Sequence, residues 1–110
     1  VFGDGSIVRD FIYIDDAVKA IRNIANGESE YRIFNLGSGT GHSVKQIIET
    51  IEKVLDKSLK VTYASARKSD VPANYLDISR YESMYGRFDY RSLEDGIRKT
   101  ANFMKGYYGV

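Results

Sequence analysis

The chain of 110 residues contains no cysteine, and this absence excludes two kinds of site. Neither a disulfide nor a thiolate metal site can form without cysteine, and we predict no metal site of any kind. A cysteine-free composition also fits a reducing compartment, so we predict a cytoplasmic protein. Proline occurs only once, at Pro72, which we expect to lie in a connection between two elements.

The chain also has little excess charge and lacks long apolar runs. Its 16 basic residues nearly balance its 15 acidic ones, so charge supports neither a nucleic-acid nor a membrane partner, and we predict neither. No apolar run is long enough for a transmembrane helix, and the first residues do not form a secretory signal. Because residues 1–3 resemble an interior segment that begins at Val1, we predict that the chain is part of a longer protein.

Apolar runs that alternate with turn signals predict an α/β fold of about three short strands and four helices. Strands are predicted at residues 11–14, 31–36 and 59–63, which are rich in β-prone side chains or alternate with polar residues. These strands are too few and too short for a complete doubly wound sheet. We therefore predict that residues 1–110 form one small domain that belongs to a larger fold.

The best-defined helix is predicted for residues 44–55, where apolar residues recur at helical spacing. Ser43 and Gln46 have the spacing of a capping box at its start. The other predicted helices begin after an Asp15–Asp16 N-cap and end at residues 26–27, span residues 77–85, and follow a cap at Ser92.

A glycine-rich run, GSGTG at residues 37–41, lies where a dinucleotide-binding loop would lie. That fingerprint requires a third glycine, and this sequence has His42 in its place; the required acid after the next strand is also missing. We therefore predict a simple turn and no cofactor-binding residue in this chain. His42, the only histidine, is predicted to be a surface or capping residue, although composition alone leaves a catalytic triad open.

Arg9 and Arg67 are the candidates for a binding site, because each lies in a loop beside a predicted strand. Two guanidinium groups can hold a pyrophosphate through paired, charge-assisted hydrogen bonds. Asp70 can accept hydrogen bonds from ribose hydroxyls. By spacing alone, an arginine in a loop is usually a solvated charge or part of a surface ion pair, and Asp70 can simply pair with Lys68.

Three motifs in order carry a resemblance to a known family: RDFIYIDD at residues 9–16, FNLGSG at 34–39 and RKSDVP at 67–72. Together they resemble the extended short-chain dehydrogenase/reductase family, and within it the nucleotide-sugar enzymes of the UDP-galactose (UDP-glucose) 4-epimerase group. The resemblance implies the C-terminal substrate-binding part of such an enzyme, with its N-terminal Rossmann part absent.

The resemblance implies a role for each of four residues. Phe2, with Val1, corresponds to the stretch that packs beside the uracil base. Arg9 corresponds to the arginine that contacts the pyrophosphate, Arg67 to a second phosphate-binding arginine, and Asp70 to the acid that reaches the nucleotide ribose. The family often has another arginine where this sequence has Ala66.

The catalytic apparatus of the family is missing from these residues. The family uses a Tyr-x-x-x-Lys pair and an N-terminal glycine-rich unit that binds NAD, and none of the nine tyrosines here has a lysine four residues later. We therefore predict no catalytic residue in this chain. The expected intact protein is an NAD-dependent UDP-sugar epimerase, active as a homodimer. Alternatives are the same part of a dehydratase or decarboxylase, or a non-catalytic binding module.

Overall fold

The computed structural model describes residues 1–87 and 89–109, which form three strands and four helices. The predicted α/β class and the numbers of strands and helices are therefore confirmed for this part of the chain. The elements are β1 (Val8–Asp10), α1 (Ile14–Asn26), β2 (Gly41–Ser43), α2 (Val44–Leu55), β3 (Ala73–Asn74), α3 (Ser79–Tyr85) and α4 (Leu93–Tyr108).

The three strands form one small sheet in the order β2-β1-β3. β1 pairs antiparallel with β2 and parallel with β3. In this register Arg9 lies opposite His42 on one side and Asn74 on the other. Directly opposed residues in a sheet project from the same face, so these three residues share one face.

The helix α2 begins as the sequence predicts. Ser43 Oγ accepts a hydrogen bond from the Gln46 backbone N–H, and the Gln46 side chain accepts one from the Ser43 backbone N–H. This reciprocal pair satisfies two backbone donors that a helix start otherwise leaves open. The predicted Ser92 cap of α4 is also confirmed, because its side chain accepts from the Asp95 N–H. α2 packs against α4.

The predicted strand at residues 11–14 is wrong. The strand is β1, which ends at Asp10, and Ile14 already begins α1. β1 has a partner strand on each side, whereas the Tyr13 carbonyl accepts from the backbone N–H groups of Asp16 and Ala17, which starts a helix. The availability of partner strands therefore decides where the strand forms, and it outweighs the β-propensity of residues 11–14.

The predicted strand at residues 31–36 is also wrong, because no ladder forms there. Hydrogen bonds from side chains hold this segment where a partner strand would otherwise pair with it. Arg80 donates to the Ile33 carbonyl, and the Asn35 amide donates to the Asp77 carbonyl. Phe34 packs against the ring of Tyr85. The segment is thus fixed by α3 and the residues before it.

Residues 59–63 do not form the predicted strand, but the chain just after them pairs with the start of the protein. Ala64 and Phe2 form an isolated parallel bridge. The Ala64 N–H donates to the Val1 carbonyl at 2.8 Å, and the Gly3 N–H donates to the Ala64 carbonyl at 2.9 Å. This pairing fixes the position of Phe2.

The predicted Asp15–Asp16 N-cap of α1 is wrong in detail. The N-cap residue is Tyr13, which makes no side-chain cap, while both aspartates lie in the first helical turn. Asp16 is buried at 3% exposure and forms an ion pair with Arg91. The helix ends at Asn26 with Gly27 as its C-cap, as predicted.

The described part of the chain has a small core and a flat shape. Among its hydrophobic residues only Ala20 and Tyr81 are fully buried. The radius of gyration is 16.4 Å, whereas a compact domain of this length has about 13 Å. The principal extents of 47 × 38 × 19 Å describe a slab. Within the described ranges, no helix combines the length and apolar character needed to cross a membrane.

Candidate functional site

Three of the four predicted site residues are in direct contact. The Arg67 guanidinium lies over the Phe2 ring, 4.3 Å from its centroid. Arg67 Nε also donates to Asp70 Oδ2 at 3.1 Å, and the Asp70 backbone N–H donates to the Arg67 carbonyl. The turn of residues 67–70 thus places a cation and an anion beside an aromatic ring. We call Phe2, Arg67 and Asp70 the Phe2 cluster.

Arg9 is bonded to the backbone of the segment that follows the Phe2 cluster. Its Nη1 donates to the carbonyl of Val71, the residue after Asp70, at 2.8 Å, and to the Val8 carbonyl at 2.7 Å. The Val8 N–H donates in turn to the Pro72 carbonyl. These bonds tie β1 to the end of the 67–72 motif, which carries Arg67.

Arg67 and Phe2 each leave part of the side chain open to solvent. Arg67 is 57% exposed and uses only Nε in its bond to Asp70, so its two Nη groups are not engaged by that carboxylate. Phe2 is 48% exposed, and Arg67 covers only one face of its ring. A planar group can therefore stack on the ring while an anion meets the guanidinium. The described residues contain no cluster of acidic or histidine side chains that could hold a metal ion.

Asp10 is the main structural residue that the sequence reasoning did not identify. Its Oδ1 accepts from the Ser38 N–H at 2.8 Å and from Ser38 Oγ at 2.6 Å. Its Oδ2 accepts from the Gly39 N–H at 2.9 Å and the Leu76 N–H at 3.3 Å. One carboxylate thus joins β1, the glycine turn and the segment after β3. Spacing cannot reveal such a contact, because the partners lie far apart in the chain.

These hydrogen bonds change the acidity of Asp10. Partial burial favours the neutral acid, but donors on Ser38, Leu76 and Gly39 outweigh it and lower the pKa of the Asp10 carboxyl below its ordinary value. Asp10 is therefore a charged structural link next to Arg9.

The glycine turn is built closely around that carboxylate. A Cβ placed on Gly37 would lie 2.6 Å from Asp10 Oδ2 and 2.9 Å from Leu76 Cδ1. Gly39 has φ of 71°, which side chains other than glycine rarely adopt. The amides that a phosphate-binding loop would offer to a ligand here donate to Asp10. The residues of this turn therefore do not fit a cofactor phosphate.

A second buried link joins α1 to the start of α4. Arg91 Nη1 donates to Asp16 Oδ1, and the Arg91 backbone N–H donates to Asp16 Oδ2 at 2.9 Å. The Arg91 guanidinium also lies 5.3 Å from the centroid of the Tyr13 ring. The sequence marks Asp16 only as a helix-start residue, so this partner could not be predicted.

An open cavity of about 650 Å³ lies next to the Arg9 strand, lined among others by Phe11, His42, Tyr90 and Arg91. Burial, helped by the nearby Tyr81, Glu82, Asp10 and Asp16, raises the pKa of Tyr90 to about 12, so its hydroxyl stays protonated near neutral pH. His42 is a half-buried residue of β2, and its Nδ1 makes no hydrogen bond within the described residues.

Comparison with known proteins gives both family and sequence matches. Residues 1–37 match the NAD dependent epimerase/dehydratase family. The chain is 37% identical over 107 residues to the UDP-glucuronate 4-epimerase of Thermodesulfobacterium geofontis, covering 96% of this chain and 32% of that protein.

Solved structures show the same fold. The UDP-glucose 4-epimerase of Thermotoga maritima with UDP-glucose superposes with a TM-score of 0.87 at 30% identity, over 98% of this chain and 35% of that chain. An NAD-dependent NDP-hexosamine 5,6-dehydratase matches with a TM-score of 0.84 at 28% identity, over 96% of this chain and 35% of that one. The chain therefore spans about a third of the length of the proteins it matches.

Proposed function

The chain is a segment of the extended short-chain dehydrogenase/reductase type, related along its length to NAD-dependent epimerases and dehydratases, and we propose that it binds the nucleoside diphosphate of a nucleotide sugar. The observation that carries this proposal is the contact of Arg67 with both Phe2 and Asp70. The similar protein from Thermotoga maritima was solved with UDP-glucose, which supports a ligand of this class.

Each residue of the proposed site has a separate task. The exposed part of the Phe2 ring stacks against the uracil base of UDP, the ligand that we propose. Arg67 and Arg9 bind the pyrophosphate, because a guanidinium keeps its charge and offers a fork of donors. Asp70 accepts from a ribose hydroxyl, while its bond to Arg67 keeps both side chains in position before the ligand arrives.

In the intact protein, residues 1–110 act as the C-terminal nucleotide-sugar-binding domain of an NAD-dependent UDP-glucose 4-epimerase-like enzyme. When bound, NAD acts as a reversible hydride acceptor for the reaction at the sugar. In this proposal the NAD site belongs to another part of the protein, because the amides of the glycine turn already donate to Asp10. The catalytic tyrosine and lysine belong there too, because no tyrosine in this sequence has a lysine four residues later. The intact enzyme is a cytoplasmic homodimer in this proposal.

This chain contributes to the reaction through binding energy from a part of the substrate that does not react. Holding the nucleotide fixes the position of the attached sugar, and such positioning lowers the entropic part of the barrier. The residues described here bind and orient the substrate, and the chemistry takes place elsewhere.

A second candidate keeps the same site but changes the reaction. The match to an NDP-hexosamine dehydratase favours it, because that protein shares the fold at a similar level of identity. A decarboxylase would use the same nucleotide site, whereas a non-catalytic module would lack the other domain. The coding sequence upstream of Val1 separates an enzyme from a non-catalytic module: a glycine fingerprint and a Tyr-x-x-x-Lys pair support an enzyme, and a start codon just before Val1 supports a module.

Calorimetric titration with UDP tests the proposed site. We expect saturable binding to the chain and a loss of roughly tenfold or more for Arg67→Ala, because a hydrogen bond to a charged group contributes about 1.5–3 kcal/mol. Arg98→Ala is the matched control, since Arg98 pairs with Glu94 on α4. Equal affinity of the Arg67→Ala and Arg98→Ala proteins would contradict the proposal.

A further inference from the structure

The end of α1 differs from the ends of the other helices in the described part of the chain. In α2, α3 and α4 the backbone N–H of the C-cap residue donates to a carbonyl of its own helix, that of Glu52, Glu82 or Lys105. The N–H of Gly27, the C-cap of α1, makes no such bond to any described residue. Gly27 leaves the helix with an extended backbone, at φ of −95° and ψ of 159°. Its main-chain nitrogen is therefore not restrained by a hydrogen bond.

The residue before Gly27 carries an electrophile beside that nitrogen. Asn26 is the last residue of α1 and is exposed, and its side-chain amide makes no hydrogen bond to a described residue. Attack of the next main-chain nitrogen on an asparagine Cγ closes a succinimide ring, and glycine has no Cβ to obstruct the approach. Asn26 is the only asparagine in the sequence that precedes a glycine; the others, Asn23, Asn35, Asn74 and Asn102, precede larger residues.

Packing explains why a glycine occupies position 27. A Cβ built on Gly27 would lie 2.6 Å from Tyr85 Cε1 and 2.9 Å from the Asn23 carbonyl oxygen. Asn23 Nδ2 also donates to the Tyr81 hydroxyl at 2.9 Å, so the end of α1 lies directly against α3. The close approach of these two helices thus requires the residue that makes Asn26 reactive.

We propose that Asn26–Gly27 is a site of spontaneous deamidation, and that its isoaspartate product loosens the contact of α1 with α3. The Gly27 nitrogen forms a bond to Asn26 Cγ, the bond from Cγ to Nδ2 breaks, and the amide proton passes through water to the departing ammonia. Water then opens the imide at either carbonyl and leaves aspartate or isoaspartate. The net change converts an amide and water into a carboxylic acid and ammonia.

Ring closure requires the last turn of α1 to open, because a helical backbone holds the next nitrogen away from Cγ. Opening at the end of a helix costs little free energy. The missing bond at the Gly27 N–H removes a further restraint that the other C-caps keep. The reaction can therefore proceed in the folded protein.

Two aspartates also precede glycine, and the structure restrains both. Asp4 Oδ1 accepts a backbone N–H at 2.9 Å, and the following Gly5 is buried. Asp95 lies in the first turn of α4, where the Gly96 N–H donates to the carbonyl of the N-cap residue at 3.0 Å. An ionised carboxylate also resists attack by nitrogen more than a neutral amide does. Asn26 is therefore the reactive position.

The isoaspartate product lengthens the main chain where α1 meets α3. Gly27 packs against Tyr85, whose ring centroid lies 5.8 Å from that of Phe34 and 5.2 Å from that of the buried Tyr81. An added main-chain methylene displaces Gly27 from Tyr85. Because Tyr85 ends α3, we expect this helix to lose part of its support.

Peptide mapping by mass spectrometry, after incubation of the intact protein in mildly alkaline buffer, tests the proposal. We expect deamidation at Asn26 to be at least roughly tenfold faster than at Asn102, which lies inside a helix. Asn102 is the internal control, since it is also exposed but precedes Phe103. Asn26→Gln is the control variant, because its longer side chain closes a less favourable ring, and product at position 26 should be lost.

Equal rates at Asn26 and Asn102, or no product at position 26, would overturn the proposed site. Hydrogen exchange on the purified isoaspartate form tests the structural effect, and amides of α3 should exchange faster than in the unmodified protein. Unchanged exchange in α3 would overturn the proposed loosening. No nucleotide takes part in the reaction, so failure here is distinct from a failure of UDP binding.

Discussion

The guanidinium of Arg67 lies 4.3 Å from the centroid of the Phe2 ring, although β1, α1, β2 and α2 separate the two residues in the chain. The parallel bridge between Phe2 and Ala64 brings their segments side by side. One ring face is covered by the cation, and the exposed remainder of Phe2 can meet a ligand. A cation and an aromatic ring are thus positioned together before a ligand binds.

The first prediction concerns the shape of the Arg67 cation. Arg67→Lys keeps the positive charge but loses the planar fork that binds two phosphate oxygens and stacks on a ring. We expect affinity for UDP to fall by about tenfold, with little loss of stability because Arg67 is mostly exposed. Calorimetric titration measures this affinity, and wild-type affinity for the lysine variant would show that charge alone suffices.

The second prediction concerns acid sensitivity. The pKa of the Asp10 carboxyl is lowered in the folded protein, so the folded state binds its proton less readily than the unfolded chain. Its stabilisation is therefore present above about pH 4, the pKa of an unperturbed Asp, and is lost as the pH falls further. Urea unfolding at a series of pH values measures the effect.

The variant Asp10→Asn isolates that contribution. Asparagine cannot accept all the hydrogen bonds that the carboxylate accepts, so we expect the free energy of unfolding at pH 7 to fall by about 1–3 kcal/mol. Its stability should decline less steeply in acid than that of the wild type. Some acid dependence should remain, since the pKa values of Asp4, Asp77 and Glu94 are also lowered.

The third prediction compares a buried and an exposed ion pair. Arg91→Met leaves the buried Asp16 carboxylate without its guanidinium partner. We expect a loss of about 3 kcal/mol in the free energy of unfolding, the low end for buried pairs, because Arg91 is partly exposed. Arg98→Met, which breaks the surface pair with Glu94, should cost less than about 1 kcal/mol. Similar losses for both variants would refute the buried link.

The fourth prediction uses two glycines in different surroundings. Gly37→Ala places a methyl group 2.6 Å from Asp10 Oδ2, so we expect it to destabilise the protein and displace the glycine turn. Gly106 lies in α4, and a Cβ there would meet no atom within 4 Å. Gly106→Ala should stabilise by roughly 0.5 kcal/mol through helix propensity. Thermal unfolding compares the two, and a stable Gly37→Ala protein would contradict the packing.

Local signals in the sequence predicted the helices better than the strands. The capping box of Ser43 and Gln46 and the apolar stripe behind it define α2, because both depend on residues close in the chain. The strands were misplaced because their partners are distant: β1 lies at Val8–Asp10, where β2 and β3 can pair with it. β-propensity alone does not show where a partner will be.

For the candidate site too, the sequence shows what depends on nearby residues and does not show contacts between distant ones. Arg9, Arg67 and Asp70 lie in sequence motifs, and Phe2 is implied by the family resemblance. The structure adds the contacts of Arg67 with Phe2 and Asp70 and the link from Arg9 to Val71. Asp10 and the Asp16–Arg91 pair were missed because each depends on residues brought together only by folding. No spacing rule relates an acid in β1 to amides of a turn after α1.

The most direct test of the account is an NMR titration of the chain with UDP, which reports on every backbone amide. We predict saturable shifts at Phe2, Arg9, Arg67 and Asp70, weakened by Arg67→Ala and preserved in Arg98→Ala. Amides on the outer face of α4, such as that of Lys99, should not move. A folded chain that shows no saturable shift at the four residues, or shifts equally in the Arg67→Ala protein, would contradict the claim that this segment binds the nucleotide.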